Sequence, residues 1–144
     1  MRKSLFSSII AIALFSTTAF AASNKDIIFS CTTDDGKPLT VQKVGDDYEY
    51  THGQFRFKNP IKQVLANANT EIAGGSGFVT YSIELKNQGK SYRVGFIQAR
   101  NSKSIDEPGV SIYQGDQYDR AIECNLTKSI KQHFSSTQIR RTGL

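Results

Sequence analysis

Apolar and polar residues alternate in short segments along most of the chain, and turn residues separate these segments at regular intervals. Alternation with a period of two is typical of strands that bury one face, so the pattern predicts an antiparallel all-β domain of about eight strands. A closed barrel is favoured because closure leaves no unpaired edge, and a sandwich is the alternative. The alternating apolar residues of these segments are Phe29, Cys31, Leu39, Val41, Tyr48, Tyr50, Phe55, Phe57, Val79, Tyr81, Ile83, Leu85, Tyr92, Val94, Phe96, Val110, Ile112 and Ile122.

Two segments depart from this period. Residues 60 to 68 begin with proline and carry apolar residues at helical spacing, which predicts one short inserted helix. Leu126, Ile130 and Phe134 repeat every four residues and predict a short C-terminal helix that lies on the domain.

The first 22 residues have the composition of a secretory signal peptide. A basic start is followed by an apolar stretch, and Ala19 and Ala21 fit the pattern that a signal peptidase cleaves. The apolar run is shorter than the ~20 residues that cross a bilayer. We therefore expect residues 1 to 22 to be removed and the mature protein to be free in the periplasm, with a β-domain over residues 23 to 126.

Cys31 and Cys124 lie near the two ends of the patterned region. In an oxidising compartment two lone cysteines most often pair, so we predict one structural disulfide between them. The alternative, a reactive thiol, lacks a second cysteine at Cys-x-x-Cys spacing or a neighbouring histidine.

The C-terminal segment, residues 127 to 144, concentrates positive charge. The chain carries 18 basic and 13 acidic residues, and removal of Arg2 and Lys3 with the signal leaves 16 basic residues and a net charge of +3. The segment contains no acidic residue; its cations are Lys128, Lys131, Arg140 and Arg141. Such a helix and tail could contact an anionic envelope surface, although a solvated and partly frayed terminus is favoured. Nucleic acid is a poor match for the compartment and the motifs.

Few residues of the chain are candidates for a catalytic role. His52 and His133 are the only imidazoles and neither lies in a motif, so we expect both to be surface residues. The adjacent carboxylates lie in predicted turns, where aspartate is favoured for backbone reasons. With no phosphate loop and no metal-ligand cluster, the sequence predicts a protein that is not an enzyme and holds neither cofactor nor metal.

The clearest hairpin in the pattern follows a glycine-rich segment, GGSG at residues 74 to 77, and turns at residues 87 to 89. A serine and a lysine held by stiff strands suit entry into the cleft of another protein, where the serine would form hydrogen bonds and the lysine would pair with carboxylates. From the pattern alone, a flexible loop and an ordinary polar turn are the plainer interpretation.

The chain resembles the periplasmic inhibitors of c-type lysozyme over roughly residues 27 to 124. The resemblance rests on Phe29, Cys31, Gly36, Val41, the Ser76-Gly77 pair, Tyr81 and Lys90. It implies a small eight-stranded barrel whose Ser-Gly loop and later lysine block the lysozyme cleft. The resemblance nominates Ser76 and Lys90 as the inhibitory pair. Together with the hairpin turn, it gives Ser76, Gly77, Tyr81, Lys86 and Lys90 as the expected partner-binding residues.

The positive charge of the mature chain is poorly matched to a strongly basic lysozyme, since like charges slow encounter and cost affinity. We therefore widen the expected target to any peptidoglycan-cleaving enzyme, including a muramidase-type bacteriocin against which the protein would give immunity. The alternatives are a small periplasmic enzyme or ligand carrier that uses the barrel mouth, and an envelope-binding protein held by its basic tail.

Overall fold

The computed structural model describes residues 26–144, so the predicted signal peptide lies outside the described residues. The elements are β1 (Ile27–Thr32), β2 (Pro38–Val44), β3 (Asp47–His52), β4 (Phe55–Pro60), α1 (Ile61–Ala66), β5 (Glu71–Gly74), β6 (Phe78–Asn87), β7 (Lys90–Ala99), β8 (Asp106–Gln114), β9 (Gln117–Glu123), β10 (Lys131–Gln132), one 3₁₀ turn (Phe134–Ser136) and β11 (Arg140–Thr142). The predicted all-β fold is confirmed, and the inserted helix forms where the proline and the helical spacing indicated.

The strands form two sheets rather than a closed barrel. The first has the order β10-β1-β2-β3-β4 and the second β11-β5-β6-β7-β8-β9. All pairings are antiparallel except that of β11 with β5. The barrel that we favoured is wrong and the sandwich is correct, because β4 and β9 end their sheets without pairing with each other.

The core lies between the two sheets and is built from the alternating residues of the pattern. Phe29, Leu39 and Val41 contribute from the first sheet, and Ile83 and Val94 from the second. All five are fully buried, so these strands follow the alternation seen in the sequence.

The expected C-terminal helix is wrong. The segment instead adds β10 to the edge of β1 and β11 to the edge of β5, with one 3₁₀ turn between them. Phe134 and Ile139 are buried in the core, whereas Leu126 is 67% exposed. The four-residue spacing of Leu126, Ile130 and Phe134 does not mark a helix here, because the backbone of this segment pairs with two sheet edges instead. The tail is also not frayed: Arg140 donates to the Ala68 carbonyl at 2.8 Å.

The predicted disulfide between Cys31 and Cys124 is confirmed, and both cysteines are buried. It joins β1 to the residue that follows β9, so it connects the first sheet to the second. Thr33, two residues after Cys31, forms an isolated bridge with Cys124.

Candidate partner-binding site

The β6–β7 hairpin positions the residues that the sequence singled out. Its two ten-residue strands pair along their whole length, from Phe78 with Ala99 to Asn87 with Lys90. The two-residue turn places Gln88 at φ 49 and Gly89 at φ 77. Positive φ at both central residues matches the right-handed twist of the strands. The hairpin is therefore a stiff support whose two ends can present side chains.

One end of the hairpin is the serine loop, which we define as residues 74–78 between β5 and β6. The Gly75 N–H donates to the Phe78 carbonyl at 2.7 Å, which closes the loop into a tight turn. Ser76, Gly77 and Phe78 are exposed, and 46% of Phe78 is accessible. The serine hydroxyl and an aromatic ring are therefore available to a partner.

Arg100 holds the serine loop in place. Its backbone N–H donates to the Gly77 carbonyl at 3.1 Å, and its Nε donates to the Gly75 carbonyl at 2.9 Å. A second guanidinium nitrogen donates to the Gly143 carbonyl at 3.1 Å. No sequence pattern points to this role, because Arg100 acts on backbone carbonyls that only the tertiary fold brings together.

The other end of the hairpin is the lysine turn, residues 86–90. Asn59 contacts both backbone polar groups of Lys86: its Oδ1 accepts from the N–H at 2.6 Å and its Nδ2 donates to the carbonyl at 2.9 Å. The Lys86 side chain is exposed. Lys90 Nζ lies 3.4 Å from Asp119 Oδ2, and the Lys90 side chain is 34% exposed. Lys90 thus already has a partner within the chain.

A buried carboxylate lies beside the lysine turn. Glu84 is 2% exposed and accepts hydrogen bonds from Arg93 Nε at 2.5 Å and Asn67 Nδ2 at 2.9 Å. The guanidinium carbon of Arg93 also lies 4.0 Å from the centre of the Tyr113 ring. Charged groups that are removed from water need such partners, so Glu84 and Arg93 are already engaged within the fold.

The structure does not bring the sequence-predicted residues together. Ser76 precedes one end of β6 and Lys90 follows the other, so ten strand residues separate them by roughly 30 Å. Tyr81 stacks on Phe96 with ring centroids 4.4 Å apart and packs against the core. Of the other predicted partner-binding residues, Gly77 lies beside Ser76 in the serine loop, and Lys86 lies with Lys90 in the lysine turn.

His52 is not the solvated residue that we expected. Its Nε2 lies 3.3 Å from Thr33 Oγ1 and 3.5 Å from Asp35 Oδ1, and its side chain is 14% exposed. The hydrogen bond from the Thr33 hydroxyl lowers the pKa of Asp35 to about 2. Thr33 is only 1% exposed, so substrate cannot reach its hydroxyl. The cluster fixes the turn after β1 and offers no accessible nucleophile. His133 is exposed, as expected, and its Nδ1 lies 2.9 Å from the Ile27 carbonyl.

Metal-ligand clusters and membrane-spanning helices are both absent from residues 26–144. There, His, Cys, Asp and Glu form no group of three that could hold a metal ion. Within the same range, no helix has the length and apolar character needed to cross a membrane. No family model, curated protein or solved structure matches this chain.

Proposed function

We propose that this is an exported, non-catalytic binding protein that inhibits a peptidoglycan-cleaving enzyme, a lysozyme or a muramidase-type bacteriocin, by inserting the serine loop into its catalytic cleft. The observation that supports the proposal most directly is the exposed Ser76 on a turn closed by the Gly75–Phe78 hydrogen bond and held by Arg100. The resemblance of residues 27 to 124 to periplasmic lysozyme inhibitors assigns the same serine to the cleft.

The serine loop suits an acidic cleft better than the lysine turn does. Glycoside hydrolases place a pair of carboxyl groups around the scissile bond, so an inhibitor benefits from hydrogen-bond donors and positive charge. Arg100 and Lys103 follow the end of β7, which pairs with the start of β6 at the serine loop, and both are exposed. A guanidinium carries five N–H donors, so Arg100 keeps donors for a partner while it holds the loop. Lys90, in contrast, would first have to leave Asp119.

Preorganisation of the loop also favours binding. A loop that is already ordered loses little conformational freedom when a partner binds, and more of the contact energy appears as affinity. The bonds of Arg100 to two carbonyls, one in the loop and one in the C-terminal segment, provide this order.

The test is binding and inhibition by the mature chain, measured by calorimetry and turbidity of cell walls against a panel of lysozymes and muramidases. Ser76→Trp should weaken binding of the hydrolase by up to about 100-fold, because overpacking of a fitted contact costs about 1 to 3 kcal/mol. Ser129→Trp, at an exposed serine of the C-terminal segment, is the matched control and should bind like the parent. The absence of binding to every hydrolase, or unchanged affinity of Ser76→Trp, contradicts the proposal.

Arg100→Lys separates the two roles of this residue. Lysine keeps the charge but cannot hold two carbonyls with a planar fork. We expect weaker inhibition and faster hydrogen exchange at the Gly75 amide. Unchanged exchange together with unchanged inhibition would show that the loop does not depend on Arg100.

Contact with the envelope through Lys128, Lys131, Arg140 and Arg141 stays a prediction. Truncation after Leu126 is not a fair test, because it would remove Phe134 and Ile139 from the core. Replacing the exposed Lys128 and Lys131 by glutamine leaves the core intact, and loss of binding to isolated cell envelopes would support the contact.

A further inference from the structure

The outer face of the second sheet carries a groove of about 620 Å³ formed by β6, β7, β8 and β9. We call it the glycine groove. Its floor contains Gly95 and Gly109, which are direct neighbours in the β7–β8 register. Ser82 pairs with Gly95 on one side and Glu123 pairs with Gly109 on the other, so all four residues form one row across the sheet.

The fold requires glycine at both floor positions. A Cβ at Gly95 would lie 1.8 Å from the Tyr81 carbonyl oxygen, and one at Gly109 would lie 2.3 Å from the Ile122 carbonyl oxygen. Gly109 also has φ +155, which side chains rarely adopt. The two glycines therefore let the backbones of the neighbouring strands approach closely, and the groove lies over this part of the sheet.

The walls of the groove combine apolar and polar groups. Ile97 and Leu126 provide an apolar side, and Leu126 is exposed although it is a large hydrophobic residue. Hydroxyl groups line the floor on β6 and β8, from Thr80, Ser82 and Ser111. The groove thus offers both apolar surface and hydrogen-bonding groups, which suits a side chain with an apolar stem and a polar end.

The charge of the groove is opposite to that of the whole chain. Glu107 and Glu123 line it, both are exposed, and neither has an ion-pair partner among residues 26–144. Arg93, the cation among the lining residues, is already engaged by Glu84 and Tyr113. The groove therefore presents uncompensated negative charge on a chain whose net charge is +5.

We propose that the glycine groove binds a lysine or arginine side chain presented by a partner polypeptide. The methylene stem would lie over the glycine floor against Leu126, and the cationic head would meet Glu107 and Glu123. Long cationic side chains bury their stems on apolar surface while the charged group stays near water, which is the combination that this groove offers. The inference concerns the outer sheet face and does not depend on the serine loop or on the hydrolase.

The experiment follows the backbone amides of the isotopically labelled mature chain by NMR while Nα-acetyl-lysine methylamide is added. We expect saturable shifts at Gly95, Gly109 and Ser111. The norleucine analogue has a similar stem without the charge and should bind more weakly. The double variant Glu107→Gln with Glu123→Gln should weaken lysine binding about tenfold, since two solvent-accessible ion pairs with the probe would be lost.

The matched control is Asp46→Asn with Asp116→Asn, which removes the same charge from two exposed carboxylates outside the groove. This double variant should bind the lysine probe like the parent. Ala121→Trp, at an exposed position that lines the groove, should block the shifts by filling the space. Thermal unfolding of each variant checks that the fold is kept, and the glutamine variants suffice if the tryptophan does not fold.

Three results overturn the proposal. The first is the absence of shifts at the floor residues. The second is equal binding of the norleucine and lysine probes, which indicates an apolar slot without charge recognition. The third is equal weakening by the Asp46 and Asp116 control, which indicates only a general attraction between the probe and acidic surface groups.

Discussion

The two ends of the β6–β7 hairpin differ in how Ser76 and Lys90 are engaged, although Lys86 is exposed beside Lys90. At the serine loop, the backbone groups are held by Arg100 and by the Gly75–Phe78 bond, while the side chains of Ser76 and Phe78 face solvent. At the lysine turn, the side chain of Lys90 is occupied by Asp119. A fixed backbone with unoccupied side chains suits recognition, whereas an internally paired charge mainly serves the fold.

The neighbourhoods of the two ends reinforce this difference. Beside the lysine turn, Glu84 and Arg93 bury a charge pair and Asn59 fixes the Lys86 backbone. Beside the serine loop, the neighbouring strand β11 approaches so closely that Gly74 and Gly143 have no room for side chains. The lysine end is stabilised by side-chain networks, and the serine end by close backbone packing.

Removal of the disulfide is expected to have the largest effect and should not distinguish the two ends. The double variant Cys31→Ser with Cys124→Ser removes a covalent link between residues that are 93 positions apart in the sequence. On the chain-entropy model, its removal lowers the free energy of unfolding by about 4 to 5 kcal/mol. Urea unfolding and the melting temperature measure this loss. Below the melting temperature, hydrolase binding should persist. A loss under about 1 kcal/mol would contradict the chain-entropy estimate.

Arg93→Ala probes the network at the lysine end. It leaves the buried carboxylate of Glu84 with Asn67 as its remaining hydrogen-bond donor, and we expect a loss of about 3 kcal/mol in unfolding free energy. The double variant Arg93→Ala with Glu84→Gln should recover part of that loss, because the uncompensated charge is gone. If the double variant is as unstable as the single one, packing rather than charge explains the effect.

Gly74→Ala and Gly77→Ala probe the backbone packing at the serine end. A Cβ at Gly74 would lie 2.1 Å from the Gly143 carbonyl oxygen, so β11 must move, and we expect a loss of about 1 to 3 kcal/mol. At Gly77 a Cβ meets no heavy atom within 4 Å, so the change in stability should stay within about 0.5 kcal/mol. Equal melting temperatures for the two variants would contradict the close packing of β11.

Lys90→Ala is expected to have the smallest effect. Its ion pair with Asp119 is partly exposed, so stability should fall by less than about 1 kcal/mol. Because the serine loop carries the proposed contact, affinity for the hydrolase should change little. The resemblance to lysozyme inhibitors predicts instead a loss of ~2 to 5 kcal/mol in binding. A loss of that size, measured by calorimetry, would move the partner site to the lysine turn.

The alternation of residues predicted β1 to β4 and β6 to β9, because burial of one face imposes a period of two on a strand. It did not predict the short strands β5, β10 and β11, and Phe55 of β4 is 44% exposed although it belongs to an alternating segment. Phe29, Val41 and Val94 were assigned to the core from this period, and all are fully buried. The pairing of Cys31 with Cys124 followed from their number and the expected compartment. These features depend on local periodicity or simple counting, so the sequence contains them.

Contacts between distant segments were decided only by the tertiary structure. The fold is a sandwich and not a barrel because the end strands β4 and β9 do not pair with each other. The C-terminal segment forms two edge strands because the backbone groups at the edges of β1 and β5 are open to pairing. Likewise, Asp119 is 29 residues from Lys90, and the Gly143 carbonyl is 43 residues from Arg100. No local pattern encodes such partners, so the difference between the serine loop and the lysine turn became visible only once the chain had folded.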